Sequence, residues 1–589
     1  MNFNIERELY KQVEKGIVKV PLVCGTYTIW DFGDVPAEAQ SEIRSSGRPP
    51  VLPVPNCKQE FERYQQIIQL RNKFDMLVKE RLDIFPPKEC FNRWLFDQLA
   101  IPRKEEEKIN MGELEPLLRN PDIAKDSKVL HQQLLENLPS STEIPWGKRD
   151  REDIRREKYI EYTGKSLYWV TKWLAELQEE KEKLAAETKD TETPENERLK
   201  GIDAEIQELN VCSKQLKDIR EDLKDYRGEL RALFGTVKQI LQTKAIQEKF
   251  CSIIDKVVED IVEETNQSIT KIRGKTQFVL EENKVVVETD IPGDFVEIFY
   301  DENKLRISKL HYHKLRILFS IHNIFPTLDD EAKAQFEGSF EMTPEQKEQF
   351  HRALYVLARR YATFFGENEG AAFHAAAPES NFDVMRNEFS VVQELFASPF
   401  NCHFAKFCSA FPDIDCWFGS YGSFFDFYPE SGSFEVGPPY TVEVMDQMAE
   451  RLMYILGAST KPLSFIVFVP EWRRPIAKYH VLMDDSPYTR ENILVNGHEY
   501  AYVVGDQHTA SSRYFSLPFD TRVYFLQNEL GAKKWPITPQ HIEHFRASLA
   551  TPLDKQLKKR NQPNNSRNYP NKQHRGNNYR GNRGGGRRY

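Results

Sequence analysis

Hydrophobic positions along this chain change period several times, and the changes mark its organisation. Apolar residues at helical spacing (Phe61, Tyr64, Ile68 and Phe74) predict a helix over residues 60–82. Long, charged helical text begins at residue 151. Helices are predicted over 166–187 and 197–234, and the break at 188–196 contains Pro194, the pattern of a helical hairpin. These salt-bridge-laced helices read as scaffold. Around 275–307 the period falls to two. Gln277-Phe278-Val279-Leu280, Val285-Val286-Val287 and Val296-Glu297-Ile298-Phe299-Tyr300 read as strands, with turns at Glu282-Asn283 and Pro292-Gly293. Helices return over about 310–322 and 345–365; Thr343 is placed to cap the second, with Pro344 at its first position.

Beyond residue 370 strands and helices alternate. Residues 391–396 form a candidate first strand ending in Ala397-Ser398-Pro399-Phe400-Asn401, and a helix is expected over 403–411. Leu463-Ser464-Phe465-Ile466-Val467-Phe468-Val469-Pro470 is an apolar run suited to a strand buried on both faces. Later strands are expected over 499–504 and 522–527. Between them, Gly432-Ser433-Phe434-Glu435-Val436 ends in the rigid turn Gly437-Pro438-Pro439-Tyr440. An amphipathic helix follows, with Met445, Met448, Leu452 and Ile455 on one face. Strand, tight turn, helix is how open α/β sheets build sites at the carboxyl ends of their strands. Phe418-Gly419-Ser420-Tyr421-Gly422 precedes this turn.

The pattern divides the 589 residues into a mixed helical and irregular region (1–150), a helical domain with a small β insert near 275–307 (151–370), an α/β domain (371–550) and an Arg/Gly-rich tail (551–589). Net charge is -9, yet Lys555 to Tyr589 holds eleven Lys/Arg and no Asp/Glu, so an acidic body carries a basic tail. No apolar run of about eighteen residues is present to span a membrane. Eight scattered cysteines without a CxxC pair suggest a reducing intracellular compartment. Neither a Gly-x-Ser-x-Gly elbow nor a Walker loop occurs. His311 and His313 lie two apart on a predicted helix and so point roughly 200° away from each other. They read as helix-surface histidines, with no metal. Cys402, Cys408 and Cys416 near His403 have spacings unlike zinc sites and read as buried thiols.

The turn at 437–440 resembles the (Asp/Asn/Ser)-Pro-Pro-(Tyr/Phe/Trp) signature of methyltransferases that act on exocyclic amines. Further segments, in order over about 380–547, resemble the phosphorylated-CTD-interacting-factor family, the cap-specific adenosine-N6 methyltransferases. They are Phe396-Ala397-Ser398-Pro399-Phe400-Asn401, Cys408-Ser409-Ala410-Phe411-Pro412-Asp413, Phe418-Gly419-Ser420, Gly432-Ser433-Phe434-Glu435, 462–473 ending in Glu471-Trp472-Arg473, Gln507-His508, Phe525-Leu526-Gln527-Asn528 and Lys534-Trp535. Ser308 to Leu315 resembles the family's helical region.

The resemblance implies a Rossmann-like methyltransferase domain packed on a mainly α-helical domain. S-adenosylmethionine would be the cofactor, held near Ala397, Ser398, Pro399 and Asn401 and near Phe418, Gly419, Ser420 and Gly422. Gly437, Pro438, Pro439 and Tyr440 would form the catalytic turn, and Glu471, Trp472 and Arg473 would meet RNA. The acceptor would be N6 of the 2′-O-methyladenosine beside the cap of mRNA, the compartment the nucleus, and a further partner the RNA polymerase II C-terminal domain. Two departures stand out. No WW module is found around Trp30, Trp94 or Trp146, and Gly437 replaces the family's Asn. In such enzymes that side chain and the backbone carbonyl after it accept hydrogen bonds from the target amine. Losing one preorganised group typically costs about 10²–10³ in rate. Two readings follow: a methyltransferase with a modified motif, or a catalytically inactive pseudoenzyme that binds capped RNA or the transcription machinery.

The tail interleaves Arg575, Arg580 and Arg583, each followed by Gly or Asn-Gly-rich text, with Tyr569 and Tyr579. Such a composition predicts disorder and RGG-type contacts to RNA.

Overall fold

The computed structural model describes residues 42–43, 56–87, 90–100, 128–136, 138, 152–187, 194–225, 230–274, 284–329, 342–365, 375–497, 499–503, 514–516 and 519–560. Gln277 to Leu280, Gln507, His508 and the tail arginines lie outside them. In chain order the first elements are strand β1 (Glu42–Ile43) and helices α1 (Cys57–Leu82), α2 (Cys90–Ala100), α3 (Lys128–Glu136), α4 (Glu152–Glu187), α5 (Pro194–Asp225), α6 (Leu230–Leu241) and α7 (Lys244–Gly274). A three-stranded antiparallel sheet follows, β2 (Val286–Glu288), β3 (Phe295–Tyr300) and β4 (Asn303–Ser308). Helix α8 (Lys309–Phe319) runs into a π turn, Ser320–Ile324, and α9 (Pro344–Phe365) closes the helical part. Helix α9 begins with a reciprocal capping box: the Gln346 amide donates to Thr343 Oγ1 and the Thr343 amide donates to Gln346 Oε1.

One apolar core runs through these helices from Cys57 in α1 to Phe365 in α9, so residue 150 marks a change of composition without separating two cores. The core also takes in Phe400, Phe407, Phe411, Trp417 and Phe418 from the α/β half. The two halves are therefore joined by shared burial of large side chains.

The second half is built on a mixed sheet in the order β6-β5-β7-β8-β12-β9. Its strands are β5 (Glu394–Ala397), β6 (Phe407–Ser409), β7 (Pro429–Val436), β8 (Leu463–Pro470), β9 (Thr489–Val495) and β12 (Thr521–Gln527); β10 (Tyr502–Val503) and β11 (Tyr514–Phe515) pair separately. Strands β6, β5, β7 and β8 are mutually parallel, while β12 runs antiparallel to both β8 and β9. Strand β1 adds antiparallel to the start of β7, so the amino-terminal region reaches this sheet.

Every residue of β8 is buried because both faces are covered. Phe465 and Val467 meet Met445, Met448 and Leu452 of α12 (Val442–Ala458) on one face. Ile466 and Phe468 meet Met385 and Phe389 of α10 (Glu379–Phe389), with Phe545 of α15 (Pro539–Arg560), on the other.

Several sequence expectations change. The helix over 403–411 is absent; β6 and the short α11 (Pro412–Asp415) stand there instead. The spacing of Phe404, Phe407, Cys408 and Phe411 imitated a helical stripe. In fact Phe404 enters one core, Phe407 and Phe411 a second and Cys408 a third, which only an extended, doubly covered segment allows. The first strand of the sheet starts at Glu394, later than expected. His311 is buried rather than on the surface, its Nδ1 2.7 Å from Ser308 Oγ, because the cap of α8 turns that ring inward. Helix α15 continues to Arg560, so the first ten residues assigned to the tail are helical.

Candidate active site

The strand order reverses between β5 and β7: the chain proceeds outward from β5 to β6 on one side and from β7 to β8 on the other. Loops leaving the carboxyl ends of two such strands diverge and open a crevice, the usual ligand position in open α/β sheets. An open cleft lies there, lined by Ala397 at the end of β5 and Asn401 beyond it, Ser409 at the end of β6 and Ala410 beyond it, and Gly437 and Pro439 after β7. Phe396, Phe424 and Phe425 supply aromatic walls from the α/β half, while Phe96 of α2 and Tyr361 and Phe365 of α9 close it from the helical half.

The turn after β5 is held by its own side chains. Asn401 Oδ1 accepts from the Ser398 amide at 2.6 Å and from Ser398 Oγ at 2.8 Å. From the helical half, the buried Lys314 of α8 donates through Nζ to the carbonyls of Phe400 (3.0 Å) and Cys402 (2.7 Å). The family-like Ser308 to Leu315 segment thus fixes a loop of the cleft. Glu394 Oε2 accepts the amides of His403 and Phe404 at 2.7 and 2.9 Å. Burial nevertheless pushes the Glu394 carboxyl up to about 7.

Phe418, Gly419, Ser420 and Gly422 are close by but beneath the wall. Phe418 is a core residue of the helical half. Ser420 Oγ lies 2.7 Å from Ser409 Oγ and accepts the Gly422 amide at 3.1 Å. Gly419 has φ +106°, and a side chain there would run into the His322 ring and the Ala405 carbonyl. Its role is the close approach of the π turn, where His322 Nε2 is 3.1 Å from the Ala405 carbonyl and Asn323 donates to the Trp417 carbonyl at 2.7 Å. Ser398 and Pro399 shape the first turn, and Pro438 fixes the second.

Tyr440 leaves the Pro-Pro turn half-buried among aromatic rings. Its hydroxyl is 2.8 Å from that of Tyr502, and its ring lies 6.5 Å from Trp472 and 6.3 Å from Phe519, centroid to centroid. Glu471, Trp472 and Arg473 follow β8 on the same rim. Glu471 accepts from Arg522 (2.8 Å) and Arg473 (2.6 Å), which hold its carboxyl below the usual range despite the opposing effect of burial. Arg473 also pairs with Asp484 at 2.6 Å. These charges are matched within the protein, and Trp472 is half-buried against Tyr440 and Phe519.

Sequence reasoning did not single out Glu435 as a site residue. Gly437 follows the last residue of β7, and a Cβ there would stand 2.6 Å from Glu435 Oε1. Phe424, Phe425 and Ser409 lay in family-like segments without being read as cleft walls, and the contributions of Phe96, Tyr361 and Phe365 depend on tertiary packing. Among the described residues no group of three or more His, Cys, Asp or Glu is placed to hold a metal ion.

A sequence model described as the phosphorylated CTD interacting factor 1 WW domain matches residues 331–505, the stretch that holds α9, β5 to β9 and the cleft turns. Two relatives, from Homo sapiens and Mus musculus, are each named mRNA (2'-O-methyladenosine-N(6)-)-methyltransferase. Each is 27% identical over 550 residues, spanning 88% of this chain and 70% of the relative. Over these stretches the chain is similar to the phosphorylated-CTD-interacting-factor family. The match covers the switch-point turns and strands β5 to β9 but not β12, and the departure at Gly437 falls inside the matched region.

Proposed function

We propose that this protein is a Rossmann-like, S-adenosylmethionine-dependent methyltransferase acting on N6 of the 2′-O-methyladenosine next to the cap of mRNA. The observation that carries this reading is the aromatic cleft at the strand-order reversal, bounded by Gly437 and Pro439 of the Pro-Pro turn. The relatives' names support the reaction. The residues present suit the cofactor: aromatic faces at Phe396, Phe424 and Tyr361 for an adenine ring, with Asn401 and Ser409 as polar contacts. When bound, the cofactor supplies a methyl group on a sulfonium sulfur. The substrate nitrogen would take that methyl in exchange for one N–H proton, leaving the sulfur as a neutral thioether. Positioning and exclusion of water are the protein's part.

Capped mRNA is the partner this reading requires and the nucleus its compartment. The description of the matched family favours contact with the RNA polymerase II C-terminal domain as well. One observation favours a second reading, a catalytically inactive protein that binds capped RNA or the transcription machinery: position 437 carries no side-chain acceptor. Mass spectrometry of cap nucleosides decides between them, after full-length protein is incubated with capped RNA and cofactor. The expected product is N6-methylated cap adenosine. Its absence, with capped-RNA binding intact, selects the inactive reading; loss of both overturns the two together.

A further inference from the structure

We propose that the Glu435 carboxyl supplies, from two residues up strand β7, the side-chain acceptor for the substrate's exocyclic amine that position 437 lacks. This rests on the cap-adenosine reading and deepens it. Gly437 follows the last residue of β7, two positions beyond Glu435. The Glu435 side chain bends toward the turn. The Cβ of any residue at 437 would lie 2.6 Å from its Oε1, 3.6 Å from its Cδ and 3.9 Å from its Oε2. The carboxyl therefore fills the space that a side chain at 437 would fill, and Gly437 itself lines the cleft.

Glu435 is 5% exposed, and among the described residues no donor is hydrogen-bonded to its carboxyl. Its neighbour across the parallel register is Glu394, a second buried acid whose own Oε2 is occupied by two backbone amides. Desolvation, and then the proximity of Glu394, hold the Glu435 carboxyl well above the usual carboxylate range. An adenine amine offers two N–H donors and no strong acceptor, the complement of a carboxyl oxygen. That complementarity holds in either protonation state, since a neutral carboxylic acid retains a carbonyl acceptor much as an Asn amide does.

The test uses full-length protein and two capped RNAs that differ only at the first nucleotide, 2′-O-methyladenosine or its analogue lacking the 6-amino group. Equilibrium binding is measured for the wild type, Glu435→Ala and Glu435→Gln. The wild type is expected to prefer the amino-bearing RNA by about fivefold to tenfold, the scale of one buried hydrogen bond. Glu435→Ala should lose that preference. Glu435→Gln keeps the volume and the carbonyl oxygen and should retain most of it, which separates lost acceptance from lost folding. A preference that survives in Glu435→Ala overturns the assignment while leaving the cap-adenosine reading standing. Wild-type binding without any preference also overturns it. Failure of the wild type to bind either RNA overturns the underlying reading with it.

Discussion

Arg360 in α9 and Glu60 in α1 form a bidentate ion pair at 2.9 Å in the interior, 300 residues apart in the chain. The same guanidinium binds Asp413, at the start of α11 just past the cleft's β6 wall, at 2.9–3.0 Å. Arg360 thus joins two helices of the first half to a loop of the second. Arg360→Leu would leave the Glu60 carboxylate buried with only Arg63 beside it. Breaking a buried pair from one side costs about 3–5 kcal/mol. Urea unfolding should show that loss, and a change below about 1 kcal/mol would mean that water replaces the guanidinium.

The space shared by Gly437 and Glu435 makes a second prediction. Gly437→Asn brings a Cβ against the Glu435 carboxyl and must displace it, so the single substitution is expected to destabilise by about 1–3 kcal/mol. Glu435→Ala empties that space. The double variant should be more stable than the sum of the single effects implies, with a coupling of at least about 1 kcal/mol in a denaturation cycle. Additive effects would show that the two positions do not compete.

Tyr440 separates stacking from anchoring. Tyr440→Phe removes the hydroxyl contact to Tyr502 and should cost about 0.5–1.5 kcal/mol of stability while leaving capped-RNA affinity within about twofold. Tyr440→Ala removes the ring and should weaken RNA binding by about 1–3 kcal/mol. RNA titrations of both variants check this; equal losses would place the base away from the ring.

The uneven legibility of the fold has physical causes. The β8 run and the α12 stripe were readable because one element buried on both faces, or on one stripe, leaves a strong periodic mark. The Pro-Pro turn was readable because its backbone constraint is written in residue type. Strand β6 was not: the segment from Phe404 to Phe411 that contains it passes between three cores with a spacing that mimics a helix. The cleft's far wall was also invisible, since Phe96, Tyr361 and Phe365 have ordinary helical-core spacing and only packing brings them to Asn401 and Gly437. Glu435 sat in a family-like segment, yet its reach to position 437 depends on a rotamer that no spacing encodes.

Glu394 predicts a pH dependence of stability. Burial raises its carboxyl to about 7, against about 4.3 for a solvated glutamate. Between these values the folded protein holds a proton that the unfolded chain has released. Stability from this group is therefore present in full below about pH 4 and is lost as pH rises toward 7, at up to about 1.36 kcal/mol per pH unit. Asp415, raised to about 7 by burial, acts in the same direction. Glu394→Gln removes one contribution. Urea unfolding of wild type and variant at pH 5 and 7.5 should show the wild type losing stability relative to Glu394→Gln as pH rises. A constant difference would mean that Glu394 titrates normally.

The last prediction concerns the chain beyond Arg560. Residues 561–589 hold seven Lys/Arg, no acidic residue and three tyrosines, attached to a body of net negative charge. Phosphate repulsion from that body is an obstacle for any RNA-binding reading, because the charges of the Glu471–Arg473–Arg522 rim are already matched internally. Arginines in the tail can neutralise phosphates and stack on bases, and tyrosines add stacking without sequence preference. Binding by this route releases counterions, so its share of the affinity falls steeply with salt, by a slope of about -0.7 per phosphate neutralised on a single strand. Removing residues 561–589 leaves α15 whole and should weaken capped-RNA binding at low salt, flatten the salt dependence and spare the preference for a 6-amino group at the first nucleotide. Filter binding from 50 to 300 mM salt, with and without the segment, measures all three. Equal affinity and equal slope in the two proteins would mean that the cleft and its rim overcome the body's charge unaided.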